Sequence, residues 1–300
     1  MDIKSLISLS RPQQWVKNSF IFLPLFFDKK LFEIGLLCQL FLLFLSFSLL
    51  ASAVYCFNDI FDRKSDKRHP KKQFRPIPSG KVSILEALTL CLVLIIFSLC
   101  IFLSWVDLFT PPQKNYLLVA FILLFYLILN ICYTIYLKHI AVVDVFVIAI
   151  GFVLRVTVGA ISVDIFLSHW IILMTFLLAL FLAFAKRRDD VANYENMGII
   201  SRKHITSYNL QFMNQVITVI AAITVVCYIM YTVSPEVIAR LGTDKLYLTS
   251  VFVLFGLIRY LQITIVSSKS GSPTQVLLHD KLIQWTIIFW ISSFITILYV

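Results

Sequence analysis

Charged side chains are scarce in this sequence, making up 14% of 300 residues against 60% that are apolar, and the mean hydropathy is +0.90. A surface with so few charges is poorly wetted, which excludes an ordinary soluble domain and makes the bilayer the expected solvent. Residues 1–15 lack both an apolar core of signal-peptide length and a small-residue cleavage pattern. They carry Asp2, Lys4, Arg11 and Pro12 instead, so no segment is expected to be removed. The cysteines (Cys38, Cys56, Cys91, Cys100, Cys132 and Cys227) lack metal-type pairing and lie within apolar stretches, where they read as small core residues. No linker, low-complexity tract, strong internal repeat or nucleic-acid module is present. The net charge of +10 is therefore better explained by basic loops held on one side of a membrane.

What is present is a series of apolar runs near the roughly 20 residues that a helix needs to cross about 30 Å of hydrocarbon. Nine spans are expected, at roughly 18–35, 37–62, 83–105, 115–137, 141–163, 168–187, 209–233, 246–267 and 280–299. The fold class that follows is all-α, a polytopic membrane helical bundle occupying 1–300 as a single domain. The first and fifth spans are the least clean, interrupted by Pro24, Asp28, Lys29 and Lys30 and by Asp144 and Arg155. With the amino terminus inside, Lys4, Arg11, Lys17, the basic stretch 63–81, Lys138, Lys186, Arg187, Arg188, Arg202, Lys203, Lys269 and Lys281 fall on the cytoplasmic side. Only Lys29, Lys30, Lys114, Arg240 and Lys245 fall opposite. The positive-inside rule selects that orientation, with the carboxyl terminus outside and the bundle in the inner, cytoplasmic membrane.

The most informative segment is Asn58-Asp59-Ile60-Phe61-Asp62-Arg63-Lys64-Ser65-Asp66. Asn58, Asp62 and Asp66 are spaced four apart and drift only about 40° per step, so with Asp59 they line one face at the end of the second span. Acids gathered near the hydrocarbon boundary need a cation or basic partners. Hard oxygen donors of this kind suit magnesium bridging to phosphate, whereas a plain solvated helix end would pair them with Arg63, Lys67 and Arg68. The stretch 67–81 follows, with prolines 70, 76 and 78 and Gly80 ending the helix in a cation-rich loop that includes Lys72 and Arg75. Such a loop closes over polyanions or attracts anionic lipid. Lys186, Arg187 and Arg188 end the sixth span on the same side, and guanidinium groups match phosphate oxygens bidentately. Arg155 is an intramembrane arginine, of the kind that faces an internal polar cavity, binding phosphate or pairing with an inward carboxylate. Tyr133, Tyr136 and Lys138 close the fourth span. Arg11-Pro12-Gln13-Gln14-Trp15-Val16-Lys17-Asn18 combines cations with an interfacial aromatic.

On the signature from Asn58 to Asp66, the segment from Tyr133 to Lys138 and the span count, the sequence resembles the UbiA superfamily of intramembrane prenyltransferases. The resemblance implies a helical bundle around a central cavity open to the cytoplasm, with magnesium diphosphate bound between two acidic motifs. Where a second Asp-rich motif is expected, this chain has Lys186-Arg187-Arg188-Asp189-Asp190. With the Arg11 to Asn18 segment, His69-Pro70-x-Lys72-x-x-Arg75-Pro76-Ile77 and Gly151-Phe152-x-Leu154-Arg155, it looks like the branch that makes decaprenyl-phosphate phosphoribose. That branch moves 5-phosphoribose from phosphoribosyl diphosphate to a polyprenyl phosphate.

The resemblance implies Asn58, Asp59, Asp62 and Asp66 as magnesium ligands, with Asp59, Asp62, Asp66 and Arg155 catalytic. Lys17, Asn58, Lys72, Arg75, Tyr133, Lys138, Lys186, Arg187 and Arg188 would bind substrate. The surplus of cations suits a donor with a diphosphate and a 5-phosphate and an acceptor with a lipid phosphate. The alternatives are a prenyltransferase acting on an aromatic or other small acceptor and, from another class, an anionic-lipid transporter, for which no inverted repeat is evident. The sequence leaves a homo-oligomer open.

Overall fold

The computed structural model describes residues 3–68, 72–109, 115–197, 203–267 and 273–299. His69, Pro70 and Lys71 of the basic loop, with Lys114, Arg202 and Lys269, lie outside them. The described residues are helical and contain no strand. In chain order the α-helices are α1 (Ile3–Ser10), α2 (Leu23–Phe27), α3 (Ile34–Asp66), α4 (Ile84–Phe109), α5 (Tyr116–Ile135), α6 (Val143–Ser162), α7 (His169–Met197), α8 (Leu210–Val233), α9 (Pro235–Leu241), α10 (Ser250–Ile265), α11 (Pro273–His279) and α12 (Lys281–Tyr299). Eight helices among the described residues are long and apolar enough to cross a membrane, which makes this a multi-pass membrane protein. Their outward faces carry the expected apolar side chains, such as Leu85, Leu92, Ile96, Phe97 and Leu103 on α4.

The first predicted span, 18–35, is not among those eight. In its place a 3-10 helix runs over Pro12–Phe22 and passes into the five-residue α2. This arm runs antiparallel to α3, and its contacts descend in step. Arg11 meets Asp59 at 2.6 Å, the Trp15 indole N–H donates to Ser52 at 2.9 Å, the Asn18 amide donates to Ser48 at 2.9 Å, and the Phe22 ring lies 5.7 Å from that of Phe44. Residue 11 to 22 in a 3-10 helix covers about 22 Å, and residue 59 to 44 in an α-helix covers about 22 Å as well. The steeper rise of the 3-10 form thus lets an arm with fewer residues keep register with α3. The interruptions already visible in the sequence mark this change: Pro24 stands in the first turn of α2, and Asp28 follows its last residue, with Lys29 in a left-handed conformation beyond it.

The chain forms two compact units. The first comprises Met1–Lys138 and Leu154–Phe166, the second His139–Val153 and Leu167–Val300, so the two ends of α6 belong to different units.

In the first unit, α3 and α4 approach closely at serines. Ser46 and Ser98 donate reciprocally to one another's carbonyls at 2.9 and 2.7 Å, satisfying polar groups that hydrocarbon would leave unpaired. Phe47, Leu43, Trp105, Val119 and Val158 fill the core beside them. Gln39 donates to the Ser162 carbonyl at 2.6 Å and ties α3 to the end of α6. A reciprocal box of Ser83 and Glu86 starts α4, with the Glu86 carboxylate accepting from the Ser83 N–H at 2.8 Å.

In the second unit, Phe181, Met213, Ile217, Tyr260 and Ile283 form the core. The Tyr228 hydroxyl joins Thr249 at 2.6 Å and accepts from the Trp290 indole at 2.7 Å. Arg259, to which the sequence gives no role, pairs with Asp280 at 2.7 Å, and Asp280 also caps α12 by accepting from the Ile283 N–H at 2.9 Å.

Gly159 is the residue that lets the arm sit against α6. A Cβ there would overlap the Ile21 carbonyl, a backbone group that cannot turn aside. Gly159→Val should lower thermal stability in detergent by about 1–3 kcal/mol through overpacking. Gly35→Ala, with open space around it, should change it by less than about 1 kcal/mol. Equal melting temperatures for the two variants would show that the arm does not pack as described.

Candidate functional site

The candidate site of the first unit is built on the last two turns of α3. At about 100° per residue, Asn58, Asp62, Asp66 and Asp59 spread over roughly 100° of the helix circumference, a single face. Two other parts of the unit meet that face. At one edge, the end of α5 contributes Thr134, whose hydroxyl reaches Asn58 at 3.3 Å. Lys138, in the short 3-10 turn that follows, donates to Asp62 at 2.5 Å. At the other edge, Arg11 of the arm and Arg75 of the loop after α3 converge on one oxygen of Asp59, at 2.6 and 3.1 Å. Arg75 also binds Asp66 at 2.6 Å through the same nitrogen.

Local structure delivers each cation. Arg11 takes a left-handed backbone (φ 50°) between α1 and Pro12, which turns the chain into the arm, and its guanidinium lies 5.3 Å from the Tyr55 ring. Arg75 follows a 3-10 turn over Lys72–Phe74, and the loop closes when the Val82 N–H reaches the Pro76 carbonyl. Gly80 at φ 78° supplies the conformation that this closure needs. Lys72 is half-buried in that turn, within electrostatic reach of Asp66.

Asp59 is 1% exposed and Asp66 3%. Buried carboxylates persist only when paired, and here three acids meet three cations, Arg11, Arg75 and Lys138. The neighbours expected for a solvated helix end take no such part: Arg63 donates to the Ile60 carbonyl, and Lys67 and Arg68 are exposed.

Arg155 is 5% exposed, on the part of α6 that belongs to the first unit. Its guanidinium donates to Asn18 at 2.7 Å and to the Tyr126 hydroxyl at 3.1 Å. The rings of Phe47 and Tyr126 flank it at 4.9 and 5.1 Å. Asn18, accepting from Arg155 and donating to Ser48, is a buried relay between α6 and α3. Phe47 precedes Asp59 by 12 residues, so Arg155 lies about 18 Å along α3 from the acidic cluster. Lys17 is within electrostatic reach of both Arg11 and Arg155.

The remaining predicted residues take different surroundings. Tyr133 is half-buried on α5, and Lys186 is exposed. Arg187 is 2% exposed within the second unit, donating to Asp144 at 2.7 Å and to Asp190 at 3.1 Å. Arg188 donates to Asn214 at 3.2 Å and to the Ile265 carbonyl at 3.3 Å. Sequence reasoning placed Arg11 and Asn18 in a motif without giving either a role. The signal was available, since both are polar residues at the margin of an apolar run. Tyr126 and Thr134, inside an apolar helix, gave none.

A hard divalent cation fits this donor set in a restricted way. Among the described residues, no three acidic, histidine or cysteine side chains are arranged to hold a metal by themselves. Magnesium characteristically takes one or two carboxylates and completes its octahedron with water and substrate phosphates, so the carboxylates of α3 suit a cation that arrives with its substrate.

The chain is 30% identical to the decaprenyl-phosphate phosphoribosyltransferase of Mycolicibacterium smegmatis, over 97% of this chain and 91% of that one. It is 28% identical to the enzyme of the same name from Corynebacterium glutamicum, over 98% and 87%. Its fold is that of a UbiA homologue from Archaeoglobus fulgidus, solved with GPP and Mg2+, at a TM-score of 0.68 and 19% identity over 99% of this chain and 100% of that one. The UbiA prenyltransferase family matches residues 31–295, nearly the whole of the helical bundle, and the chain belongs to that family.

Proposed function

We propose that this chain is a polyprenyl-phosphate phosphoribosyltransferase, moving 5-phosphoribose from phosphoribosyl diphosphate to a polyprenyl phosphate. The observation that carries the reading is the cation ring of Arg11, Arg75 and Lys138 on the acidic face of α3, with Lys72 beside it. A donor with a diphosphate and a 5-phosphate offers more anionic oxygens than a prenyl diphosphate, and it uses more guanidinium and ammonium donors. Identity of 30% along 97% of the chain to a decaprenyl-phosphate phosphoribosyltransferase supports the same reading. The basic excess on loops supports an orientation with this end of α3 on the cytoplasmic side of the inner membrane, where a soluble sugar phosphate would reach it.

Magnesium held by Asp59, Asp62 and Asp66 beside Asn58 would neutralise charge on the departing diphosphate. The chain's own residues do the rest. Arg75, Lys138 and Lys72 bind diphosphate oxygens and hold the donor so that its leaving group points at the acidic face. The bond from carbon 1 to the diphosphate oxygen breaks with its electron pair as an oxygen of the lipid phosphate bonds to that carbon. The acceptor is ionised near neutral pH and needs no general base. Lys17 is assigned to the 5-phosphate or the lipid phosphate, and Tyr133 to the sugar. Arg155 serves through the buried relay, holding Asn18 and thereby the arm that carries Lys17 and Arg11. In the second unit Arg187, committed to Asp144 and Asp190, and Arg188, held by Asn214 and the Ile265 carbonyl, fix the end of α7 that carries the exposed Lys186.

The polyprenyl tail lies in the bilayer against apolar helix faces, each methylene withdrawn from water contributing roughly 0.8 kcal/mol.

Purified enzyme given phosphoribosyl diphosphate, magnesium and a polyprenyl phosphate should form phosphoribosylated lipid. Turnover of prenyl diphosphate with a small aromatic acceptor, and none of phosphoribosyl diphosphate, would sink the proposal. Asp62→Ala should lower kcat/KM by at least roughly 100-fold, and it should lower the melting temperature as well, because it leaves the largely buried Lys138 ammonium without its carboxylate. Arg155→Ala should lower both activity and stability, the latter by the cost of unpairing a buried Asn and a Tyr hydroxyl, about 1–3 kcal/mol. An Arg155→Ala enzyme of unaltered stability would remove the relay role.

A further inference from the structure

The acidic face of α3 is closed by positive charge. Arg11 and Arg75 share a single oxygen of Asp59, and Arg75 bridges to Asp66. A metal ion approaching that oxygen meets two guanidinium groups already at hydrogen-bond distance. Placing a divalent cation there alone adds its whole charge to a site whose carboxylates are buried and already balanced, in surroundings that solvate ions poorly. Bringing in a diphosphate with the metal is different. The guanidinium groups exchange carboxylate oxygens for phosphate oxygens, the carboxylates exchange guanidinium for metal, and the local charge stays near balance.

Both arginines are built to make that exchange. Their side chains are 21% and 29% exposed while the Asp59 side chain is 2% exposed, so the cations can turn toward an incoming anion from a fixed carboxylate. Each hangs on a chain segment separate from α3, Arg11 at the left-handed entry to the arm and Arg75 at the end of a short 3-10 turn.

We infer that Arg11 and Arg75 act as stand-in cations for the metal. They hold Asp59 and Asp66 shut against metal alone and open them to metal together with a diphosphate, to which both guanidinium groups transfer. Arg11 thereby becomes a donor-binding residue. This inference rests on the acidic face being the diphosphate site of the proposed function, but not on the identity of the sugar or the acceptor.

The test uses the full chain in detergent, manganese in place of magnesium, and methylenediphosphonate as an unreactive diphosphate. Manganese retained with the protein is measured by ultrafiltration, with protein-free blanks to correct for the metal–diphosphonate complex. Wild-type protein should retain manganese at least roughly tenfold more tightly when the diphosphonate is present. The Arg11→Gln/Arg75→Gln variant should bind manganese alone about tenfold more tightly than wild type, and should gain little from the diphosphonate. Equal retention by wild type with and without the diphosphonate would overturn the inference, as would a folded double variant with no gain for manganese alone. If that variant does not fold, Arg75→Gln alone is held to the same expectation. Because neither ribose nor lipid is present, failure of phosphoribosyl transfer would leave a positive result standing. Unaided manganese binding by wild type would overturn the stand-in role without touching the transfer reaction.

Discussion

A carboxylate sealed from water next to hydrocarbon is the constraint on which the first unit depends. Asp59, 1% exposed, is tolerable only with a cation against it, and the cation four residues further along α3, Arg63, is turned to the Ile60 carbonyl instead. The partners come instead from segments before and after the helix, Arg11 and Arg75. Each partner then dictates local structure. Arg11 must stand at the top of the arm, which requires a left-handed residue ahead of Pro12, and Arg75 must fold back from the end of α3, which requires the loop closed by Gly80. Charge pairing at one carboxylate thus sets the course of the chain on both sides of the first long helix.

The arm is the second consequence. Once Arg11 is fixed at the level of Asp59, the following residues run along α3 with contacts at Ser52, Ser48 and Phe44. Equal lengths of 3-10 and α-helix hold unequal numbers of residues, and the 3-10 form resolves the mismatch between them. The close approach this allows is recorded at Gly159, where any side chain would meet the backbone of Ile21. The buried Asn18 then serves two helices at once, accepting from Arg155 and donating to Ser48. An arginine deep in the bundle is held by an amide, a phenol and two aromatic rings, which satisfy its donors and its charge.

Much of this was legible in the residues and some was not, for identifiable reasons. The long spans follow from uninterrupted apolar runs, and all eight of the later predicted spans correspond to helices that qualify by length and apolarity. The first does not, because its residues form the end of the 3-10 arm and the five-residue α2 in place of one long α-helix, a difference that an apolar run alone does not reveal. The acidic face was legible because its spacing matches the helical period over two turns. Its partners were not, since Arg11 and Arg75 lie 48 and 16 residues away from Asp59 and nothing in local spacing links them. Arg63, Lys67 and Arg68 were the nearer candidates by sequence, yet Arg63 donates to the Ile60 carbonyl and Lys67 and Arg68 are exposed. Among the basic residues after the sixth predicted span, a run of like charge concealed different surroundings: Lys186 is exposed, whereas Arg187 is held by Asp144 and Asp190.

That last contrast bears on what a buried ion pair contributes to such a bundle. A buried Asp144–Arg187 pair contributes little net stability compared with an apolar pair of the same volume, because desolvation offsets most of the attraction. What it does provide is direction: an arginine tied to a carboxylate on another helix fixes the rotation of α7. The first unit uses the same device with the roles reversed, its carboxylates fixed on the rigid helix and its cations hung on the arm and loop. Ligand-exchanging charges belong on the adaptable segments and anchoring charges on the helix, since only the former can change partner without moving the bundle. In the inferred exchange Arg11 and Arg75 are the charges that change partner, while Arg155 and Arg187, each within its own unit, are held by fixed partners on helices or the arm.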